Sequence, residues 1–472
     1  MKGLVAIVSD QNDKKTGKPP GLVKRFWRSI ISRSLVPGSD DERRWVVSNT
    51  LVLHLRPSSL PVDTLRFTHT FGLGGMSMVL VMLLIGTGLL MMFAYEPSPE
   101  RAYQSIIDMQ ESILFGRLVR GMHYWSANLL IAVAALHMLR VFLTGGFHAA
   151  RQFNWIIGLA LLFLILVSGF TGYLLPWDQI SYWAITICTE MLGHVPWFGP
   201  VLQRVMLGGP EIGSATMINF YAFHTTVVPV LLVVLMAWHF WRVRRAGGVV
   251  VPSVQGSESG EGPKRVMFIP HLLLRETVVT LILIAFVLVL AILAGAPLGE
   301  PANPGLSPNP AKAPWYFLGF QELLLHFHPL FAVFVIPLAL AVALASIAYL
   351  RYDTDLSGNW FLSEKGQRTA AIGVVTALLF TTAWVLLDEY VIGPGGWVPG
   401  AAPMISNGLV PCTILLAGCT GFYMLIRKFF QASKNEAVQA LFTLLLTGFV
   451  VLTSVGVWFR GAGMALVWPW QM

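Results

Sequence analysis

Apolar residues run along this chain in long blocks broken by short polar or proline-rich stretches. Nine blocks have the length of a membrane crossing: residues 67–95, 116–142, 154–175, 219–242, 273–296, 329–350, 370–391, 407–426 and 438–459. A run of about 20 apolar residues spans the hydrocarbon core of a bilayer. The predicted class is therefore all-α and polytopic: four helices forming one bundle, then about five further transmembrane helices. A polar arm, residues 1–66, precedes the first block. Within it RFWRSIISRSL (25–35) alternates bulky apolar and basic residues, as a helix does when it lies in the membrane interface or docks on neighbouring protein. AGGVVVPSVQGSESGEGPKRV (246–266) reads as a flexible linker between two membrane modules, 67–245 and 267–391, with 392–472 adding further C-terminal spans. The loop GAPLGEPANPGLSPNPAKAPWYF (295–317) is dense in proline yet ends in aromatics, which predicts an ordered, non-helical excursion of the kind that carries function.

Composition agrees: 55% of residues are hydrophobic, 12% are charged, and the mean hydropathy is +0.66. The net charge of +8 could suggest a nucleic-acid partner, but the basic residues follow the loops. With the N-terminus in the cytoplasm, only Arg101, Arg117, Arg120, Arg204, Lys312 and Arg460 of the 32 Lys and Arg fall on the outer side. The positive-inside rule thus predicts N-in and, after nine spans, C-out, and it accounts for the basicity without nucleic acid. No apolar signal-peptide core occurs in the first 50 residues, which are charged. Cys188, Cys412 and Cys419 form neither CxxC nor CxxCH, so they offer no covalent c-type haem motif and no four-cysteine cluster.

Four of the eleven histidines, His123, His137, His224 and His239, lie inside the second and fourth blocks. Ionisable groups within spans are costly and point to function. The first two are 14 residues apart and the second two 15. On an α-helix these steps return to within about 40° and about 60° of the starting direction, with a rise of roughly 21–22 Å. Each helix therefore turns two imidazoles to one face, one near each membrane surface. Both helices run from outside to inside, so the pairs are His123–His224 outside and His137–His239 inside. Two planar haems b held between them would have both axial positions filled, as suits electron transfer. Arg120 and Arg140 flank the histidines of the second block and could meet haem propionates, or simply snorkel to the interface. Gly74 and Gly88 repeat the 14-residue spacing on the first block, as do Gly158 and Gly172 on the third; such glycines clear space for rings or for plain helix packing.

RGMHYWSANLLIAVAALHMLRVFLTGGF (120–147), SGFTGYLLPWDQISYWA (168–184), NFYAFHTTVVPV (219–230) and KAPWYFLGFQELL (312–324) together resemble the cytochrome b/b6 family of cytochrome bc and b6f complexes. The GYLLPWDQ stretch is the most specific, and the likeness covers nearly the whole chain, with the b6 and subunit IV halves fused through the 246–266 linker. The resemblance implies a quinol:electron-acceptor oxidoreductase of the quinol–cytochrome c type, with a Rieske-type iron–sulfur protein and c-type cytochrome subunits as partners. It also implies a dimeric complex in the cell inner membrane and a coupled release of protons outside. It places outer quinol chemistry at Pro176, Trp177, Asp178, Trp315 and Tyr316, and inner quinone binding at Arg242, Arg275 and Glu276.

Three departures qualify the likeness. The family's PEWY reads APWY at 313–316, with Pro314 in the glutamate's place, so Glu322 or Tyr316 is the substitute proton acceptor expected from the sequence. Tyr124 and Asn219 stand where the family usually has arginines near the outer haem; less positive charge there lowers its potential and suits a low-potential quinol such as menaquinol. Gly72 aligns with the b6 cysteine that anchors an additional covalent haem, so no covalent c-type haem is expected. The missing glutamate also leaves open a quinone-linked dihaem module that feeds multihaem cytochromes or another reductase without a Rieske partner. A haem-free transporter, from a different class, would favour inverted repeats or broken helices. The last span exceeds the eight of mitochondrial-type cytochromes b and is expected to dock a partner subunit.

Overall fold

In the computed structural model, placement is described for residues 21–23, 25–26, 59–251, 264–353 and 358–471, with the backbone alone at 267–270 and 394. Most of the arm, including residues 27–35 of the helix expected at 25–35, and the linker at 252–263 lie outside the described residues. Among the described residues, thirteen helices carry the fold. The first half holds α1 (Leu73–Met92), α2 (Ala102–Glu111), α3 (Gly116–Leu143), α4 (Gln152–Leu174), α5 (Gln179–Leu192), α6 (Gly199–Leu207) and α7 (Ser214–Arg245). The second half holds α8 (Phe268–Leu293), α9 (Trp315–His326), α10 (Phe331–Ile347), α11 (Glu364–Leu387), α12 (Ile405–Phe429) and α13 (Lys434–Trp458).

Among the described residues, eight helices are long and apolar enough to cross a membrane: α1, α3, α4, α7, α8, α11, α12 and α13. They match eight of the nine predicted blocks. The sixth block yields the shorter apolar α10, which begins with a π-turn at Phe331–Val335. Large side chains remain exposed on the outer faces of the bundle, including Leu90, Phe163, Ile282, Phe380 and Leu416. Such faces suit hydrocarbon, which has no need of polar groups.

The two modules are contiguous in space. Leu283 and Val287 of α8 are buried in one cluster with Leu73, Leu80 and Val81 of α1 and Leu130, Ile131 and Val133 of α3. A short antiparallel pairing of β1 (Ser59–Pro61) with β2 (Arg265–Met267) ties the chain before α1 to the start of α8. At the same end of the bundle Arg25 donates to the Tyr349 carbonyl at 2.9 Å, and the Phe26 ring lies 5.8 Å from that of Tyr349. The last span is also internal. α13 packs along α11 and α9, and it touches α12 as well. Gly319 of α9 and Gly456 of α13 permit the approach: a Cβ at either would come within 3.2 Å of the facing side chains. This span is thus part of the chain's own packing, while Leu445, Val450 and Trp458 on it stay exposed.

Candidate functional site

The four span histidines meet in two pairs. The ring centroids of His123 and His224 are 6.1 Å apart, and those of His137 and His239 are 6.4 Å apart. A metal–imidazole bond of about 2 Å on each side, with half a ring beyond it, separates two centroids by roughly 6 Å. No group of three or more His, Cys, Asp or Glu that could hold a metal occurs among the described residues. Each pair thus offers two donors, which suits a metal whose remaining positions are filled by a macrocycle and does not suit a bare ion. The residues present fit haem b on this donor set.

Local structure explains the alignment. The 14-residue spacing on α3 lies on regular helix, whereas α7 contains a π-turn at Phe223–Val227 that begins beside His224. A π-turn absorbs an extra residue, so the 15-residue spacing on α7 works like one of 14. The roughly 60° phase error of an ideal helix is thereby reduced.

The four glycines face the four histidines one to one. A Cβ on Gly74 would lie 3.3 Å from His137 Cε1, on Gly88 3.3 Å from His123 Cε1, on Gly158 3.6 Å from His239 Cε1, and on Gly172 2.4 Å from His224 Cε1. The space they clear receives the imidazoles. In the outer pair each ring is also oriented by a hydroxyl or carbonyl next to its glycine. Thr87 gives its proton to the Leu83 carbonyl at 2.7 Å, so its oxygen accepts from His123 Nδ1 at 2.9 Å. His224 Nδ1 donates to the Ser168 carbonyl at 3.0 Å. Both bonds leave Nε2 as the lone-pair nitrogen, the tautomer a metal needs. Sequence reasoning missed Thr87, Ser168 and Thr171, although a Thr-Gly dipeptide at 87–88 and again at 171–172 was there to be seen.

The expected propionate partners have other contacts. Arg120 is buried and donates to the Ala296 carbonyl at 2.8 Å, to Pro297 at 2.6 Å and to Gln110 Oε1 at 3.0 Å. It secures the start of the proline-rich loop. Arg140 donates through Nε to the His69 carbonyl at 2.8 Å. Arg242 is buried with its guanidinium 5.3 Å from the Phe153 ring centre. Arg275 donates to the Leu65 carbonyl at 3.1 Å, and Glu276 beside it is exposed.

The outer loops meet as the motifs suggest. Asp178 caps α5 by accepting from Ser181 N at 2.9 Å, while its other oxygen accepts from Gly299 N at 3.0 Å. Gln179 N donates to Glu300 O at 2.8 Å, and Ala302 N to Trp177 O at 3.2 Å. Trp177, which follows Pro176, is buried with φ of 52°, a left-handed conformation that these bonds hold in place. Asp178 is thus a joint between two loops. Asp178→Ala should cost about 1–2 kcal/mol through the lost cap, read as faster hydrogen exchange in 176–183 and 296–303 with haem content unchanged. Asp178→Asn, which also caps, should recover most of that protection; equal exposure in both variants would contradict the assignment.

From the far side of the same loop, Trp315 Nε1 donates to Asn128 Oδ1 at 2.8 Å. Tyr316 is packed so that a Cβ on Gly169 would lie 3.0 Å from its hydroxyl. Gly169 follows Ser168 and precedes Gly172 by less than one turn, so Tyr316 reaches the stretch of α4 that seats His224.

Glu322 points elsewhere. Six residues place it roughly 120° around α9 from Tyr316, facing the end of α13. Its buried carboxylate accepts from Arg460 Nη2 at 2.5 Å and Nε at 3.0 Å, and lies 3.2 Å from His326 Nε2. His326 Nδ1 meets Asp388 at 2.6 Å, and Arg460 Nη1 donates to Glu389 at 2.8 Å. Burial alone would raise Glu322, but hydrogen bonds from His326 and Arg460 outweigh it and hold the carboxylate below its usual range. Its partners Arg460 and His326 thus set Glu322 on a different face of α9 from Tyr316. Burial would lower His326, yet bonds to Asp388 and Glu322 raise it above its ordinary 6.5.

These directions fix a pH window. The His326 contribution is complete below 6.5 and is lost as pH rises through its raised folded value; that of Glu322 is complete above 4.5 and is lost as pH falls through its lowered one. Protection factors of residues 459–468, corrected for base-catalysed intrinsic exchange, should accordingly be highest between these limits and fall toward alkaline pH. Protection factors that stay constant as pH rises above 6.5 would contradict the arrangement.

Comparison with known proteins comes in three parts. Residues 59–247 match the family model described as Cytochrome b/b6/petB. The chain is 38% identical over 175 residues to the cytochrome b6 of Prochlorococcus marinus (strain NATL1A), covering 37% of this chain and 80% of that protein. The cytochrome b6 of Synechococcus sp. (strain CC9605) matches with the same identity and coverage. A chain of the solved structure "Hyperthermophilic respiratory Complex III" superposes with a TM-score of 0.60 at 21% identity, over 88% of this chain and 96% of that one, a likeness of fold.

Proposed function

The chain belongs to the cytochrome b/b6 family, and on that premise we propose that it is the cytochrome b subunit of a bc-type quinol:electron-acceptor oxidoreductase coupled to proton translocation. The observation that carries this reading is the pair of imidazole pairs, 6.1 and 6.4 Å between centroids, on two neighbouring membrane helices. His123 with His224, and His137 with His239, would each hold one haem b through Nε2. When bound, the two haems supply one-electron carriers at two depths of a hydrocarbon core about 30 Å thick.

The chain's own residues prepare the outer reaction. Asp178, Gln179 and Arg120 fasten the 295–303 loop over the outer end of the bundle, and Trp315 and Tyr316 descend from it toward the His224 seat. Quinol would bind between the α4–α7 connection and this loop. Tyr316 is a sequence-derived candidate for orienting a quinol hydroxyl. At the opposite end Arg242, Arg275 and Glu276 would serve the inner quinone. The N-terminus lies in the cytoplasm on this reading, the membrane is the inner membrane of the cell, and the complex is dimeric with a Rieske-type protein and c-type cytochrome subunits. Tyr124 and Asn219 favour menaquinol as the substrate.

Pro314 in the glutamate's place favours a second reading, a dihaem module without a Rieske partner. Mass spectrometry of the intact purified complex separates the two: a Rieske-type subunit is expected, and multihaem cytochromes in its stead would select the alternative. In the same preparation a short-chain naphthoquinol should reduce b haem; no reduction by either a naphthoquinol or a benzoquinol would refute the quinol assignment.

A further inference from the structure

Five ionisable side chains at the outer end of the second module form one connected chain, buried at its centre and partly exposed at both ends: Asp388, His326, Glu322, Arg460 and Glu389. The side chains of Glu322, His326 and Arg460 are at most 1% exposed. They come from three places in the sequence: α9, the π-turn Asp388–Ile392 that ends α11, and the segment after α13. The haem pairs and the outer loops have no use for them, and nothing in the family likeness accounts for Arg460.

Charge dictates how this cluster behaves. A neutral imidazole has one N–H, yet both ring nitrogens of His326 face carboxylate oxygens, so the cluster carries an additional proton, shared along Glu322, His326 and Asp388. Three carboxylates then face one imidazolium and one guanidinium, which leaves the cluster with one net negative charge. Arg460 is the hub, with contacts to Glu322, Glu389 and the Met464 carbonyl. Removing it leaves Glu322 buried without its principal partner and close to two further acids, a situation that buried ion pairs tolerate badly.

That carboxylate lies on α9, the helix whose first two residues are Trp315 and Tyr316. Beyond Arg460, α9 is held to α13 by close packing at Gly319 and Gly456 and by Lys312 donating to the Val457 carbonyl at 3.2 Å. A displacement at Glu322 is therefore transmitted along a rigid rod of 12 residues. We propose that Arg460 is a positioning residue for quinol oxidation: by clamping Glu322 it sets the placement of α9, and hence of Tyr316 against Gly169 beside the His224 seat. The C-terminal span, which exceeds the eight of the mitochondrial type, is then part of the quinol site's support. This inference rests on the quinol-oxidising role proposed above.

The test follows b-haem reduction by a short-chain naphthoquinol in the purified complex, with haem content measured separately. Arg460→Gln should lower kcat/KM by about 10- to 100-fold, as small misplacements of a reacting group do, chiefly through a higher KM and with both b haems retained and spectrally unchanged. Arg460→Lys should recover part of the loss. The double variant Glu322→Met/Arg460→Met removes both charges at similar volume and leaves the cluster's net charge the same, so it should be faster than Arg460→Gln. A normal KM in Arg460→Gln, haem loss in proportion to activity, or a double variant as slow as the single one would each overturn the proposal. A wild-type complex that no quinol reduces would overturn it together with the function it rests on, whereas wild-type turnover with an unimpaired Arg460→Gln overturns this inference alone.

Discussion

His224→Ala is expected to remove one b haem of two and to stop quinol turnover, while the other haem stays bound. Loss of a partner that merely orients a metal-binding histidine costs about 10- to 100-fold in affinity, and loss of the ligand itself costs more. The rest of the outer seat cannot compensate, because no third His, Cys, Asp or Glu stands near enough to make a three-donor group among the described residues. His123→Ala should behave alike, since the two rings face each other at 6.1 Å. His137 and His239 belong to a separate pair roughly 21 Å along the helices, so their haem should persist. The readouts are haem per protein and the low-temperature α-band, which should fall from two components to one. Two haems in either variant would contradict the pairing.

The second large effect should come from residues that bear no functional group. Gly172→Ala places a methyl 2.4 Å from His224 Cε1, with Nδ1 at 2.9 Å and Nε2 at 3.0 Å. The ring must shift, and with it the bond to the Ser168 carbonyl that fixes its tautomer. The outer haem should be lost or should become high-spin. The other three glycines provide a graded series: alanine at Gly74 or Gly88, at 3.3 Å, should weaken its haem, and alanine at Gly158, at 3.6 Å, should be tolerated. Haem occupancy should therefore follow Gly158→Ala > Gly74→Ala ≈ Gly88→Ala > Gly172→Ala. Equal occupancy across the four would mean that these glycines serve helix packing only.

Much of this was legible in the sequence because a membrane makes apolar length and buried charge conspicuous. Eight spans and the two histidine pairs follow from block length and from the 14- and 15-residue spacings. The π-turn at Phe223–Val227 was not legible: its effect is a phase correction of one residue, and nothing in FHTTV marks it against ordinary helix. The glycines were found by period, but their partners are imidazoles, a distinction that only the approach of α1 to α3 and of α4 to α7 decides. Arg120 and Asp178 were identified as functional positions, yet both turn to backbone groups of a loop more than a hundred residues away. Glu322 illustrates the limit most clearly. Its proximity to Tyr316 in sequence suggests a shared pocket, whereas helical rotation and the bond to Arg460 assign it to a different face. A guanidinium on the outer side, where basic residues are sparse, was the available clue.

The most direct measurement is a redox titration of the purified chain in its complex, with the haem then extracted into acidified acetone. Two b-type haems per chain, both low-spin, extractable without cleaving a covalent bond and titrating at separate potentials, are the expected result. A colourless protein, a single haem, or a high-spin centre open to carbon monoxide would contradict the paired-imidazole site on which the whole reading stands.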